Sequence, residues 1–428
     1  MTSPHPGTAA AVTTTPAVPW WGVLSAWLAT RVLALVVWGL FELEATGDVL
    51  YYHRRIGEMF AGAGLSATLV EYPTPVVWLL SLPWLAGGGS QAGYLAGFVV
   101  AMLALDAWLT VLLHRSSARS TAVLFWVGFV PLLGPLTLLR FDMVPAVLAG
   151  VALLLVARRP APAGALVGVG AAVKLWPALL VPALLGDRRR RGRVLLGFFG
   201  AGAGLALLSL VAGGAERLFS PLTWQSDRGL QVESVWATPV MLWHLLSPEL
   251  HTIGMSRYQA FEVFGPHVAG WTSAADLSML VGLAVMALLF VRTWRRGAAS
   301  PLAAAAVMTA VVACMIVTNK TLSPQYVLWL GGPVAVLVQQ VTSRPVPRRT
   351  SQAVVRLALG TLVLAALTHL VYPVLYSAIV YDPPGPAQTA AVLVLAVRNA
   401  GLVALTVVSV ALAWRVTEGP AAPAPGRR

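Results

Sequence analysis

The chain has 428 residues, of which 58% are hydrophobic and only 11% are charged. Apolar runs of about 18 to 25 residues recur from end to end, each long enough to cross the hydrocarbon core of a bilayer, which excludes a soluble globular domain. The formal net charge of +13 would favour a nucleic-acid partner in a soluble protein. Here the basic residues cluster in short loops between apolar runs, so no nucleic-acid partner is expected.

The placement of arginine predicts the orientation of the chain, because cytoplasmic loops of membrane proteins are enriched in Lys and Arg. The acidic residues fall mostly in the other set of loops, which should therefore lie outside. Both termini are predicted to lie inside, and the protein is predicted to be a multi-pass protein of the cell membrane. The loops expected in the cytoplasm carry Arg115 and Arg119, Arg158 and Arg159, the arginines of residues 188–193, Arg292, Arg295 and Arg296, and Arg344, Arg348 and Arg349.

The two ends of the chain are polar and rich in Pro and Ala. Residues 1–19 and 415–428 are predicted to be disordered cytoplasmic tails, and residues 20–414 to form one transmembrane domain. The one cysteine, Cys314, lies in an apolar run, so an intramolecular disulfide is excluded.

The first predicted span runs outward from Trp20 to Phe41 and contains Arg31, which must face protein, water or a lipid headgroup. A first outer loop of about residues 42–91 follows, and its apolar piece at residues 76–85 is too short to cross comfortably. This loop is predicted to form one or two short helices at the membrane interface. Residues 92–113 return inward.

The next two spans, residues 121–139 and 143–156, turn outside. Residues 164–185 have the length of only one span, yet both flanks are rich in arginine and should lie inside. We therefore expect a hairpin of two short helices, broken near Lys174 and Pro177, since proline interrupts a helix. Irregular backbone at membrane depth is tolerated only where protein or a cavity covers it, so the break is a candidate site.

The rest of the chain alternates in the same way, with a long outer loop at about residues 213–275. The remaining spans are predicted at residues 194–212, 276–291, 302–318, 327–341, 354–372 and 390–414. In total the sequence predicts an all-α polytopic membrane protein of about twelve transmembrane helices.

No phosphate-binding loop, no dinucleotide-binding glycine pattern and no His/Cys metal spacing occurs, so neither a cofactor nor a metal is expected. The remaining chemistry lies in polar residues that share the outer side of the membrane. A carboxylate there could act as a general base if an apolar surround raised its pKa, and cations beside it would suit transfer from a lipid phosphate. These residues are Asp48, Arg140, Asp142, Lys174, Lys320, Gln325, His369 and Tyr372.

A set of short motifs occurs in a fixed order along the chain: D-x-x-x-Y after the first span, then EYPTP, RFDMVPAVLAGVALLL, GALVGVGAAVKLWPALLVPALL, NKTLSPQYVLWL and HLVYPVLY. This order resembles the bacterial enzymes of glycosyltransferase family 87, which are polyprenyl-phosphate-mannose-dependent mannosyltransferases of the GT-C superfold. The resemblance runs from about Trp20 to Trp414. It implies transfer, with inversion, of a mannosyl residue from a polyprenyl-phosphate donor to a hydroxyl of a lipid-linked glycan or glycolipid on the extracytoplasmic face.

The resemblance also implies that an acidic residue of the first outer loop is the catalytic base. The matching position is Asp48, with Glu42 and Glu44 of the same loop as alternatives. Donor phosphate binding is assigned to Lys174, Lys320 and Arg140, because lysine occurs only twice in this chain and both copies lie at the outer side or at the helix break. Acceptor and sugar binding is assigned to Tyr51, Tyr52, Asp142, Gln325, Tyr326, His369 and Trp236.

Each assignment has a structural alternative. Lys174 could snorkel to the interface, Arg140 could pair with Asp142, His369 could be an interfacial histidine, and Trp236 could anchor its loop among headgroups. For the whole protein, the alternatives are a polyprenyl-phosphate-arabinose-dependent arabinofuranosyltransferase, a transporter or flippase for a lipid-linked sugar, and a scaffold without activity.

Overall fold

The computed structural model describes residues 18–226, 228–296 and 300–418. Apart from residues 18–19 and 415–418, the predicted terminal tails lie outside the described residues. The α-helices are α1 (Trp20–Phe41), α2 (Gly47–Glu58), α3 (Thr74–Ala86), α4 (Gln91–Ser116), α5 (Thr121–Leu132), α6 (Leu136–Leu139), α7 (Met143–Leu155), α8 (Pro160–Val173), α9 (Val181–Leu184), α10 (Arg191–Ser226), α11 (Thr238–Leu246), α12 (Val268–Arg296), α13 (Pro301–Thr318), α14 (Leu328–Ser343), α15 (Arg348–His369), α16 (Tyr376–Val380) and α17 (Pro386–Val416). The strands are β1 (Thr252–Met255) and β2 (Phe261–Phe264).

The long helices and a set of shorter apolar segments account for the twelve predicted spans. Seven helices of the described residues are long and apolar enough to cross a membrane, namely α1, α4, α10, α12, α13, α15 and α17. The other five segments are α5 with α6, α7, α8, the 3-10 turn Trp176–Leu180 with α9, and α14. The all-α polytopic membrane fold is therefore confirmed.

Helix α13 lies at the centre of the bundle, and α1 and α10 lie at its edge. In the apolar part of α13, 72% of the residues are buried inside the protein, against 17% in α1 and 11% in α10. Helix α13 packs against α14 and α17, and α14 packs against α7. The outer helices expose apolar side chains that a bilayer would cover, as expected for a protein whose solvent is lipid.

A buried ion pair explains the arginine inside the first span. Arg31 donates from Nε and Nη2 to the two carboxylate oxygens of Asp106, at 2.7 and 2.8 Å. The same carboxylate accepts from the indole nitrogens of Trp27 and Trp126. Because both charges and their hydrogen bonds are satisfied within the protein, the pair ties α1 to α4 and α5 without exposing charge to lipid.

The predicted helical hairpin at residues 164–185 is present. Helix α8 ends at Val173, Lys174 is extended, and the chain returns through the 3-10 turn and α9. The return ends beside the end of α7, since Ala183 and Gly186 lie with Val156 around one small cavity. Both arginine-rich flanks of this segment therefore lie at one end of the bundle, and Lys174 lies away from that end.

The two predicted outer loops carry more structure than the sequence indicates. In the first, α2 and α3 pack on each other and on α4, which agrees with short helices at the interface. In the second, α10 continues past a break at Gly214 (φ 76°), and α12 begins at Val268, earlier than predicted. The antiparallel hairpin of β1 and β2 is not predicted from the sequence, because strands of four residues are too short to show a clear alternation of apolar and polar side chains. Part of its pairing is also with a residue distant in sequence, since Glu262 in β2 bridges to Gln231.

Candidate active site

Two cavities adjoin at the end of the bundle that carries α2, α3 and the β-hairpin. The first, here called the polar cavity, measures about 500 Å³ and is lined by charged and hydroxyl-bearing side chains that include Asp48, Arg140 and Glu233. The second, here called the apolar cavity, measures about 630 Å³ and is lined largely by carbon, with Lys320 at its wall. Four residues line both cavities, namely Glu71, Tyr72, Lys174 and Tyr326.

Asp48 forms an ion pair with Arg140 at the wall of the polar cavity. Nε of Arg140 lies 2.9 Å from Oδ2 of Asp48, and the side chains are 5% and 42% exposed, respectively. The guanidinium also donates to the carbonyls of Ala45 and Leu139 at 2.9 and 3.0 Å, and to the Tyr372 hydroxyl at 3.3 Å. Asp48 is therefore held by a rigid cation and still faces the cavity, without the apolar surround that the base hypothesis called for.

Lys174 sits at the junction of the two cavities. Its Nζ donates to Oδ1 of Asp142 at 2.7 Å, and the Trp329 indole donates to the same oxygen at 2.7 Å. The ammonium lies 5.2 Å from the ring centres of Phe141, Tyr326 and Trp329, a distance at which aromatic faces stabilise a cation. The expectation that Lys174 needs an anionic partner is met by Asp142. The structural alternative in which Arg140 pairs with Asp142 is not found, since Arg140 pairs with Asp48.

Lys320 lines the apolar cavity together with Lys174. Its Nζ lies 3.3 Å from Oδ1 of Asp276, whose side chain is 60% exposed. The backbone at Lys320 is tied to the β-hairpin region, since the Gln231 amide donates to its carbonyl at 3.0 Å. The two lysines of the chain are therefore brought to one cavity from elements that lie 146 residues apart (320 − 174).

One buried arginine holds the segment that carries Glu71 and Tyr72. Arg217, from the part of α10 beyond Gly214, is 2% exposed. It donates to the backbone carbonyls of Leu65, Thr68, Leu69 and Tyr72 at 2.9 to 3.3 Å. We call this set of contacts the Arg217 clamp. Because the four carbonyls lie on both sides of Glu71, the clamp sets the position of the wall shared by the two cavities.

The model of glycosyltransferase family 87 matches residues 70–318 of this chain, which is more than half of its length. The chain belongs to glycosyltransferase family 87. The protein is therefore a membrane glycosyltransferase, and the GT-C type of fold expected from the sequence agrees with this family. The matched region includes Arg140, Asp142 and Lys174 but begins after Asp48 and ends before Lys320.

Comparison with solved structures finds a similar arrangement in the crystal structure of ArnT from Cupriavidus metallidurans bound to undecaprenyl phosphate. The two chains are 14% identical, with a TM-score of 0.47, over 93% of this chain and 78% of that one. No curated protein matches the sequence.

At the polar cavity the family-87 chain also has a fully buried ion pair, which the sequence analysis did not single out. Nη2 of Arg398 in α17 lies 3.1 Å from Oε2 of Glu233, and both side chains are essentially unexposed. Burial raises the pKa of Glu233 to about 7, and the neighbouring charge of Arg398 opposes this rise. The sequence does hold a signal for this pair, because Arg398 lies within the predicted span at residues 390–414 and a charge at that depth requires a partner.

Seven of the eleven predicted site residues line one of the two cavities. Asp48, Tyr51, Arg140, Lys174, Gln325 and Tyr326 line the polar cavity, and Lys320 lines the apolar cavity with Lys174 and Tyr326.

The other four predicted residues do not line either cavity. Tyr52 is 1% exposed and packs among aromatic rings that include Tyr72 and Phe141. Asp142 is the buried counter-ion of Lys174, and Trp236 lines a separate apolar groove between α12, α13 and α17. His369 is absent from the lining of the polar cavity and pairs with Glu42.

Three acidic residues of the first outer loop, Glu42, Glu44 and Asp48, lie in different surroundings. Oε1 of Glu42 lies 2.7 Å from Nε2 of His369, and Glu44 is exposed on a 3-10 turn. Neither lines the polar cavity, whereas Asp48 does. The side-chain positions therefore favour Asp48 among the three candidates for the base.

Proposed function

We propose that this family-87 protein transfers a mannosyl residue, with inversion, from polyprenyl-phosphate mannose to a hydroxyl of a lipid-linked glycan or glycolipid on the extracytoplasmic face of the membrane. The observation that carries the proposal is that Asp48 and Lys174 line one polar cavity, which continues at Lys174 into an apolar cavity. Such a pair of compartments suits a donor that is a sugar at one end and a hydrocarbon at the other.

The donor phosphate is assigned to the junction. Lys174 and Lys320 supply two ammonium groups at the apolar cavity, where low water content strengthens their attraction for a phosphate. The polyprenyl chain occupies the apolar cavity, beside Leu175, Leu179 and Met315. The sugar then extends past Lys174 into the polar cavity. Mannose as the donor sugar rests on the resemblance to the mannosyltransferases of this family.

In the proposed reaction the acceptor hydroxyl gives its proton to Asp48 as its oxygen attacks the anomeric carbon. The bond from that carbon to the phosphate oxygen breaks, and the electron pair leaves with the polyprenyl phosphate. Lys174 and Lys320 stabilise the negative charge that develops on the leaving group. Attack from the face opposite the phosphate inverts the anomeric configuration. Among the described residues, Oδ1 of Asp48 has no hydrogen-bond partner, so it remains available for the acceptor.

The test is sugar transfer by purified protein in detergent. Synthetic polyprenyl-phosphate mannose with a labelled sugar is supplied with a glycolipid extract of the cell envelope, and the arabinose donor is run in parallel. We expect labelled lipid product from the mannose donor, with the inverted anomeric configuration by NMR. Absence of product from both donors, together with movement of the intact lipid-linked sugar across vesicles that contain the protein, would show a flippase instead.

A further inference from the structure

The carboxylates that line the two cavities differ in their partners. Asp48 pairs with Arg140, Glu233 with Arg398 and Asp276 with Lys320. Glu71 lines both cavities, yet among the described residues it forms no ion pair. Its Oε1 instead accepts a hydrogen bond from the Tyr51 hydroxyl at 2.8 Å. A carboxylate without a cation, placed where the cavities meet, is suited to a neutral ligand with hydroxyl groups.

The position of Glu71 is set from two sides. The Arg217 clamp holds the carbonyls of Leu69 and Tyr72, and Ser220 donates to the carbonyl of Val70 at 2.8 Å. The backbone on both sides of Glu71 is therefore bound to α10. The side chain is oriented by Tyr51, whose pKa is raised by burial and by the charge of Glu71, so that the phenol remains a proton donor. Oε2 remains for a ligand.

We propose that Glu71 recognises the donor sugar, by accepting a hydrogen bond from one or two of its hydroxyl groups. This inference rests on the proposed function. In that function the phosphate lies at Lys174, which lines the same two cavities as Glu71, so the sugar attached to the phosphate enters the space that Glu71 lines. A carboxylate accepts hydrogen bonds strongly and offers no hydrogen-bond donor, so a donor sugar that lacks the matching hydroxyl loses a hydrogen bond to a charged group. Glu71 then acts as a specificity residue, distinct from the base.

The experiment is a double-mutant cycle in which one change is made in the protein and the other in the donor sugar. Affinity and turnover are measured for wild type and Glu71→Gln with polyprenyl-phosphate mannose and with its 2-, 3-, 4- and 6-deoxy analogues. In wild type we expect removal of one or two hydroxyls to weaken donor binding by about 10- to 100-fold, the range of a hydrogen bond to a charged group. In Glu71→Gln the same removals should weaken binding much less, by about two- to fivefold, because a neutral amide replaces the charged acceptor.

Glu58→Gln is the matched control. Glu58 lies in the same outer loop, pairs with Arg55 and lines neither cavity. This variant should keep the wild-type penalties for the deoxy donors. The glutamine at position 71 retains an oxygen that can accept from Tyr51, and thermal unfolding in detergent checks that both variants are folded.

Each other outcome overturns the proposal. If Glu71→Gln keeps the wild-type penalties for every deoxy donor while transfer proceeds, Glu71 does not contact the donor sugar, and the proposed function stands. If Glu71→Gln keeps the wild-type penalties for the deoxy donors but raises the KM for the acceptor, Glu71 binds the acceptor. If turnover falls equally with all donors and affinities do not change, Glu71 is the base. Failure of wild type to bind any polyprenyl-phosphate sugar removes the proposed function and this inference together.

Discussion

Asp48 and Arg140 form an ion pair in which only the arginine is buried. Arg140 makes hydrogen bonds to two backbone carbonyls and one phenol, so its position is set by α6 and its surroundings rather than by Asp48. The carboxylate is 42% exposed and stays in contact with the cavity. Such a pair orients a base while leaving one oxygen to take a proton.

The first prediction concerns Asp48→Asn. The amide keeps the shape of the side chain but cannot accept the proton of the acceptor hydroxyl. Turnover should therefore fall by about 10²- to 10⁴-fold while donor binding is retained. Glu42→Gln and Glu44→Gln should have much smaller effects, because neither residue lines the polar cavity. Turnover of Asp48→Asn above about a tenth of wild type, a smaller loss than removal of a general base should give, would place the base elsewhere.

The second prediction concerns the two lysines. Lys174→Met and Lys320→Met should each weaken donor binding by about 10- to 100-fold, since each removes a charged contact to phosphate. Arg189→Met, an exposed change at the other end of the bundle, should leave donor affinity unchanged. The measurement is the dissociation constant of a fluorescent polyprenyl phosphate.

Loss of Lys174 also leaves the buried carboxylate of Asp142 with Trp329 as its one remaining side-chain partner among the described residues, which is destabilising. The double variant Lys174→Met with Asp142→Asn removes that unpaired charge and should recover stability without recovering donor affinity. Near-normal donor affinity in both single variants would mean that the lysines serve only as partners of Asp142 and Asp276.

At the scale of elements, the break at Gly214 directs the end of α10 back over the first outer loop. Gly214 has φ 76°, a conformation that favours glycine. Beyond it, Arg217 clamps the wall that carries Glu71, and Pro221 lines the apolar cavity. One helix end therefore contributes to the position of both compartments.

The third prediction concerns this clamp. Arg217→Gln loses most of the hydrogen bonds to residues 65–72, each of which contributes a net free energy of about 1.5 to 3 kcal/mol when the donor is charged. We expect easier proteolysis of the first outer loop and a higher KM for the donor, with a smaller change in kcat. Arg217→Lys should recover only part of the effect, because an ammonium lacks the planar set of donors. A variant with unchanged KM and unchanged proteolysis would show that the loop holds its own position.

At the scale of the whole molecule, two of the arginine-rich loops meet at one end of the bundle, where Arg188 donates to the carbonyl of Arg295. Arg191 stacks on Trp294 at 3.6 Å and Arg292 on Trp414 at 3.9 Å, measured from the guanidinium carbon to the ring centre. These contacts join the ends of α10, α12 and α17. These arginines line neither the polar nor the apolar cavity, so the charge asymmetry separates the arginine-rich end from the candidate site.

The fourth prediction tests the orientation. Cys314 is the one cysteine of the chain and is buried, so Cys314→Ala provides a background without thiols. In it, Glu44→Cys should react with an impermeant maleimide added to intact cells, and Arg189→Cys should react only after the cells are opened. Both positions are exposed. Reaction of position 189 from outside would reverse the proposed topology.

The sequence by itself determined the local properties of this protein. Runs of apolar residues specify the spans, because only a helix satisfies its backbone in lipid, and Pro177 with the arginine flanks specifies the broken hairpin. The order of short motifs leads to family 87. Lysine, being scarce, points to two positions that do reach one cavity. These signals are readable because each depends on neighbours in the sequence or on the bilayer itself.

The tertiary structure alone decided which charges meet. Arg140 lies two residues from Asp142 but pairs with Asp48, whereas Asp142 pairs with Lys174 and accepts a hydrogen bond from Trp329. The pairing of Glu233 with Arg398 joins residues 165 positions apart. In a low-dielectric interior each buried charge takes the partner that packing brings within hydrogen-bond distance. Spacing along the chain carries no record of that choice. Packing alone therefore decides which outer-loop carboxylates pair with a cation and that Glu71, among the described residues, pairs with none.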